Sequence, residues 1–207
     1  MNYHDEMMEI APSQINSINY SLILEWIFVI ACILGLIKVA HIIGREKETY
    51  LESATTQIFH GLKLLIPSWW TKTLEKNNEW KFERTDTHYE WMSILLLKDL
   101  QLTNLEAESK HFFQEAGILF DLEETQINQI PANLIKSEML LDNIQEFVRF
   151  EGMATEKIIE RIYLDSCWII LKNNPQKVYH LMSYSSVLNG SLEGPYFEEM
   201  LKRAELS

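Results

Sequence analysis

Arg161 to Ser186 reads RIYLDSCWIILKNNPQKVYHLMSYSS. Two runs rich in aromatic and β-branched residues flank Asn173-Asn174-Pro175-Gln176, the signature of a hairpin closed by a four-residue turn. The apolar i, i+3, i+4 pairs between Ile158 and Leu171 also permit a helix, but the turn residues favour antiparallel strands. With strands here, grouped as meanders with a few helices, the domain over 57–207 reads as α+β.

On the N-terminal side, Phe147-Val148-Arg149-Phe150 reads as another strand. On the C-terminal side, Gly194-Pro195 punctuates the chain. Pro195 suits a first helical turn, so a closing helix is predicted over PYFEEMLKRAEL, with Tyr196, Met200, Leu201 and Ala204 along one side. Further back, EWKFERTDTHYEWMSILLLKD alternates, turns at Thr85-Asp86-Thr87 and resumes, which gives two strands. Its run from Trp91 to Leu97 is apolar enough for a strand covered on both faces. Thr103-Asn104-Leu105-Glu106 is a capping-box pattern, opening a helix that carries Leu105, Phe112, Phe113 and Ala116 on one face and stops at Gly117. IFHGLKLLIPSWW, Ile58 to Trp70, reads as an extended segment ending at a turn at Pro67. Leu119 to Gln129 carries little pattern, and Pro131 precedes ANLIKSEMLL, which fits a strand or a short helix.

A second decisive stretch is LILEWIFVIACILGLIKVAHIIG, Leu22 to Gly44. Its 23 residues make about 34 Å of helix, enough to cross a bilayer. Fourteen of them are Leu, Ile, Val or Phe, contributing roughly 4 to 8 kcal/mol toward insertion against about 3 for a lysine at the very centre. Lys38 and Glu25 sit off centre, where long side chains reach the headgroups. Residues 1–20 contain no Lys or Arg, so the basic start of a cleaved signal peptide is missing. Lys38 near the C-terminal end of the span and Arg45 and Lys47 beyond it, with nothing basic before it, predict by the positive-inside rule the N-terminus outside and the following domain in the cytoplasm. The expected organisation is a short acidic tail over 1–20, a transmembrane helix over 21–44, a juxtamembrane helix or linker over 45–56, and a soluble α+β domain over 57–207. The span at 22–43 makes the lipid bilayer one partner.

Charge narrows the function classes. A net charge of −12 and a pI near 4.9 leave no basic patch for nucleic-acid phosphates. The two cysteines, Cys32 and Cys167, lie in different parts of the chain, so no disulfide framework is implied. The six histidines, His4, His41, His60, His88, His111 and His180, show no zinc-ligand spacing, and neither GxxxxGK nor GxGxxG occurs. No metal or cofactor is therefore expected.

Three groups remain to be weighed for chemistry. Asp86, His88 and Glu90 would share one face of a strand, although a solvated turn and strand edge account for the same letters. Ser166 and Cys167, with Ser183, Ser185 and Ser186, become nucleophiles only if a base such as His180 comes within hydrogen-bond reach; no GxSxG elbow exists. Trp69 and Trp70 are adjacent, so in an extended chain they face opposite ways and cannot both enter one sheet face. That makes the pair the best candidate for a partner-binding surface.

The order of elements resembles the PsbP-like superfamily, the α/β/α sandwich of photosystem accessory proteins, a Ran-binding import factor, DcrB-like proteins and Eag chaperones. The resemblance rests on Ile66-Pro67-Ser68-Trp69-Trp70, the meander FERTDTHYEW, the late hairpin reaching Tyr184-Ser185-Ser186 and the helix around Phe197 to Leu201. It covers about 57–205, departs from pattern between Leu119 and Asn143, and carries over no binding residue. It implies a mostly antiparallel sheet packed by helices, in a domain that docks on other proteins, often at membranes. The expected function is a membrane-tethered, non-catalytic interaction or accessory module in a membrane-associated complex. The alternative is a membrane-bound hydrolase or other enzyme using Asp86, His88 and Cys167.

Overall fold

The stretch Arg161–Ser186 forms two long antiparallel strands, and they are the centre of the molecule. In the computed structural model, which describes residues 20–84, 91–101, 104–121, 123–157 and 160–207, the chain divides into two units, residues 1–49 and 50–207.

The first unit holds most of helix α1, Tyr20–Ser53. Leu24–Ile42 within it has a mean hydropathy of 2.0 and no residue buried against protein. A soluble helix hides one stripe and wets the other; apart from Glu25, Lys38 and His41 this stretch is apolar, and it is covered nowhere. It is an N-terminal apolar helix of the kind shared by signal sequences and membrane anchors.

The second unit opens with the last turn of α1, so the domain starts at Tyr50 rather than at residue 57. Strands β1 (Thr55–Phe59) and β2 (Leu62–Ile66) follow. The segment expected to run straight from Ile58 to Pro67 is thus broken by a hairpin, with His60 at φ 50° and Gly61 at φ 88°. Two successive left-handed residues make the turn whose twist matches paired strands, and His-Gly is a weaker signal for it than Asn-Gly. Strands β3 (Trp70–Lys76), β4 (Glu79–Arg84) and β5 (Trp91–Asp99) form the expected meander with one strand more than the sequence reading gave it. Helix α2 (Leu105–Glu115) is capped by Asn104, whose side chain accepts from Ala107 N–H at 2.8 Å. The short strands β6 (Ile118–Phe120) and β7 (Gln126–Asn128), a 3-10 turn at Pro131–Asn133 and helix α3 (Glu138–Asn143) account for the region of weak pattern.

Strands β8 (Ile144–Glu156), β9 (Glu160–Leu171) and β10 (Lys177–Ser186) are followed by helix α4 (Val187–Lys202) and a two-residue strand β11 (Glu205–Leu206). The main sheet runs β3-β4-β5-β10-β9-β8-β6, with β7 also on β8, and every pairing is antiparallel. A second sheet has the order β1-β2-β11.

Alternation along β9 builds two cores. Leu164, Trp168 and Ile170 join Leu105 and Phe113 of α2 on one face. Cys167, Ile169 and Leu171 join Phe197, Met200 and Leu201 of α4, and Phe59, Leu62 and Leu64 of the small sheet, on the other. The helical reading of Ile158 to Leu171 fails because both faces of this segment are buried at period two, a pattern that a central strand satisfies.

The closing helix starts at Val187, so Pro195 lies inside it. Proline there removes one hydrogen bond, roughly 3 kcal/mol in an isolated helix. The first turns are held by tertiary contact instead. Gly190 is pressed so close to Tyr163 that a Cβ would stand 2.5 Å from the ring.

Candidate functional site

Between α4 and the sheet lies a polar layer, an uncommon content for a core and the densest chemistry in the domain. It starts at the tryptophan pair. Trp70 N–H donates to Pro67 O at 3.1 Å, so Trp69 sits in a turn and not on a strand. The premise that adjacent residues face opposite ways therefore does not hold. Trp70 Nε1 donates to Glu193 of α4 at 2.9 Å, and Trp69 Nε1 points at the same carboxylate at 3.4 Å. Trp70 is buried against Trp91, ring centroids 4.2 Å apart, and Trp69 is half-buried between Tyr50 and Tyr196. Glu193 is fully buried and also takes Arg84. A buried carboxylate needs this many donors to be tolerated.

The layer continues across the sheet. Trp91 Nε1 donates to Ser183 Oγ at 2.9 Å. Arg149 on β8 makes a two-pronged contact with Asp165 on β9, Nε to Oδ1 at 2.8 Å and Nη2 to Oδ2 at 2.7 Å, and reaches Glu151 at 2.9 Å and Glu198 at 3.3 Å. Tyr163 OH donates to Glu151 at 2.6 Å. One guanidinium thus serves three carboxylates. Burial pushes the Asp165 carboxyl up to about 6, opposed by Arg149 and reinforced by Glu151 and Glu198. The hydroxyls of Ser93 and Ser185 are buried in the same layer without a partner among the described residues, a cost the fold accepts beside so many satisfied groups.

On the other face, Ser166 Oγ and His180 Nε2 are 2.8 Å apart, within the reach that nucleophilic chemistry requires. The rest of the pair's surroundings argue for a structural role. Both residues are fully buried, His180 stacks on Trp168 at 3.7 Å, and Ser166 accepts from Trp168 Nε1. Desolvation, then the Lys98 charge, hold the imidazole well below its usual range, in the neutral form. Its Nδ1 has no partner, so the third group that orients a catalytic histidine is lacking among the described residues.

Cys167 points into the opposite core, fully buried, its thiol pushed up by desolvation. It lies four residues along β9 from Tyr163, which shares a row with Ser185 and Trp91, about 13 Å deeper in the sheet. Cys167 therefore joins no cleft that begins at Trp91. Asp86 and His88 lie outside the described residues. Among the described residues no three His, Cys, Asp or Glu side chains gather as metal ligands.

Sequence reasoning missed Glu193, Arg84 and the Arg149–Asp165 pair. Their signal is weak: an Arg and an Asp inside runs otherwise apolar enough for buried strands.

Solved structures to which this chain is similar include the cyanobacterial PsbP (CyanoP) of Synechocystis sp. PCC 6803, at 10% identity and a TM-score of 0.47 over 75% of this chain and 93% of that one. The Ran-binding protein Mog1p of Saccharomyces cerevisiae follows at 9% identity and 0.42 over 74% and 95%. At this identity the likeness concerns the fold alone. No protein-family model and no curated protein sequence matches the chain.

Proposed function

We propose that this chain is a membrane-tethered, non-catalytic interaction module: α1 spans the bilayer, the N-terminal tail lies outside, and the α+β domain works at the cytoplasmic face as a component of a membrane-associated protein complex. The observation that carries this reading is Leu24–Ile42, a 19-residue stretch of mean hydropathy 2.0 with none of it buried in the protein. A surface of that size exposed to water would be a large aggregation liability, and a bilayer removes it. The basic residues Lys38, Arg45 and Lys47 at its C-terminal end support the orientation. A non-catalytic role is supported by the state of the candidate nucleophiles, Ser166 and Cys167, which are both fully buried.

Of the tryptophan pair, the half-exposed edge of Trp69 beside Tyr196 is the part a partner can touch; Trp70 serves the core. The test is co-purification of the full-length chain in mild detergent beside a chain lacking residues 1–45. A partner retained by full-length protein and weakened by Trp69→Ala is the expected result. Absence of any partner with both chains would sink the interaction reading. Membrane-impermeant, lysine-reactive labelling of intact cells reports the orientation independently, and rapid labelling of the domain would reverse it.

A further inference from the structure

From residue 50 onward the chain carries 15 Lys and Arg against 24 Asp and Glu. Four of those basic side chains, Lys63, Lys136, Lys202 and Arg203, nevertheless line one groove of about 380 Å³, with a single acidic residue, Glu205, among its walls. They arrive from separate elements: Lys63 from β2, Lys136 from the approach to α3, Lys202 and Arg203 from the end of α4. A purely local account covers part of the cluster. Lys202 and Arg203 pair with Glu198 and Glu199 one turn back, as basic residues at a helix C-terminus commonly do, and Lys63 pairs with Glu205 at 3.1 Å.

That account does not cover Lys136. It is exposed, and none of the described residues forms an ion pair with it. Its backbone N–H donates to Lys202 O at 3.1 Å, which satisfies one of the carbonyls at the end of α4. The Lys63–Glu205 pair is itself about half exposed, 46% and 52%, so it is held weakly and opens readily. The groove therefore offers one ammonium with no ion-pair partner among the described residues, two further cations paired with carboxylates that do not line it, Lys63 beside Glu205, and the Ser137 hydroxyl. This is a set of donors suited to a phosphate.

The groove also adjoins the C-terminal end of α1. Thr56 in its wall follows Ser53, the last residue of α1, by three positions, and Leu65 in its wall accepts the Tyr50 hydroxyl at 2.9 Å. The tether is short in sequence: Ser53 is eleven residues past Ile42. We propose that this groove binds the phosphate headgroup of an anionic phospholipid in the membrane that holds α1. The inference rests on the tether reading above.

The test uses the full-length chain in nanodiscs of phosphatidylcholine alone or with added phosphatidylglycerol, read by amide hydrogen exchange over residues 62–66, 134–138 and 200–206. Phosphatidylglycerol is expected to slow exchange there, and Lys136→Ala, at an exposed position, to weaken the lipid's effect by about fivefold in apparent affinity, the weight of one basic residue near an anionic surface. Salt should shrink the protection in parallel. Three results would overturn the proposal. Equal protection by inorganic phosphate in phosphatidylcholine discs would make the ligand a free anion. Indifference to phosphatidylglycerol in a chain that enters the discs would remove the headgroup site while leaving the anchor intact. Failure of the chain to enter discs at all would remove both.

Discussion

Trp69 and Trp70 show what one peptide bond separates. Trp70 is buried and packed on Trp91, with its N–H on Glu193, whereas Trp69 keeps an open edge. Trp70→Ala is expected to cost about 3 to 5 kcal/mol, since it leaves a cavity and removes a donor from a buried carboxylate. Trp69→Ala should cost less than half of that, and urea midpoints of the two variants check the order. The same scale holds a pH effect. His180 is held neutral, its pKa depressed below the unfolded value near 6.5. The unfolded chain therefore binds the proton first, and stability falls as pH drops below about 6.5, by up to about 1.4 kcal/mol per unit until the folded-state pKa is reached. Asp165, raised to about 6, works in the opposite sense over its own window, gaining stability as pH falls from about 6 toward 4. Comparing wild type with His180→Gln from pH 7 to 5 isolates the histidine: the wild type should lose stability relative to the variant. Identical pH curves for the two would contradict a buried neutral imidazole.

At the level of elements, local chemistry was legible where it was strong. The β9–β10 hairpin follows from its turn residues and its two β-rich runs. Helix α2 falls within one residue of its capping pattern, with Asn104 taking the place read for Thr103. The closing helix was misread, because Gly194-Pro195 are breakers in any isolated peptide and here lie within one helix. What overrides them is contact with β9 and β10. Gly190 lets α4 lie against Tyr163, and Gly152 lets the chain at Glu124 and Thr125 cross β8, where a Cβ would stand 2.7 Å from Glu124 O. Gly152→Ala meets backbone that has no room to yield, so a loss of about 1 to 3 kcal/mol is expected, with Gly190→Ala in the same range. Thermal melts of both variants, each against a control substitution at an exposed strand position, test this.

At the level of the whole molecule, the end of α1 belongs to the domain. Tyr50 is fully buried, its hydroxyl on Leu65 O, its ring at 5.6 Å from Tyr196 and 6.1 Å from Trp69. A chain beginning at residue 46 should fold as stably as Tyr50 allows, while one beginning at residue 55, or carrying Tyr50→Ala, should lose about 3 to 5 kcal/mol. Equal urea midpoints for the two truncations would show that Tyr50 contributes no stability. Full-length protein is expected to stay with membranes through alkaline carbonate extraction, and the truncation at residue 46 to be released.

The sequence by itself determined the apolar helix, the α+β composition and the late hairpin. Each depends on neighbours within a few positions: period, length, and the turn residues that end a run. Only the tertiary structure decided that both tryptophans turn to Glu193, more than 120 residues away in sequence, that Arg149 holds Asp165, and that Ser166 and His180 meet inside a sealed core. A buried polar group is stable only where its partner is delivered, and a partner from a distant strand or helix leaves no period or spacing in the chain from which to read it.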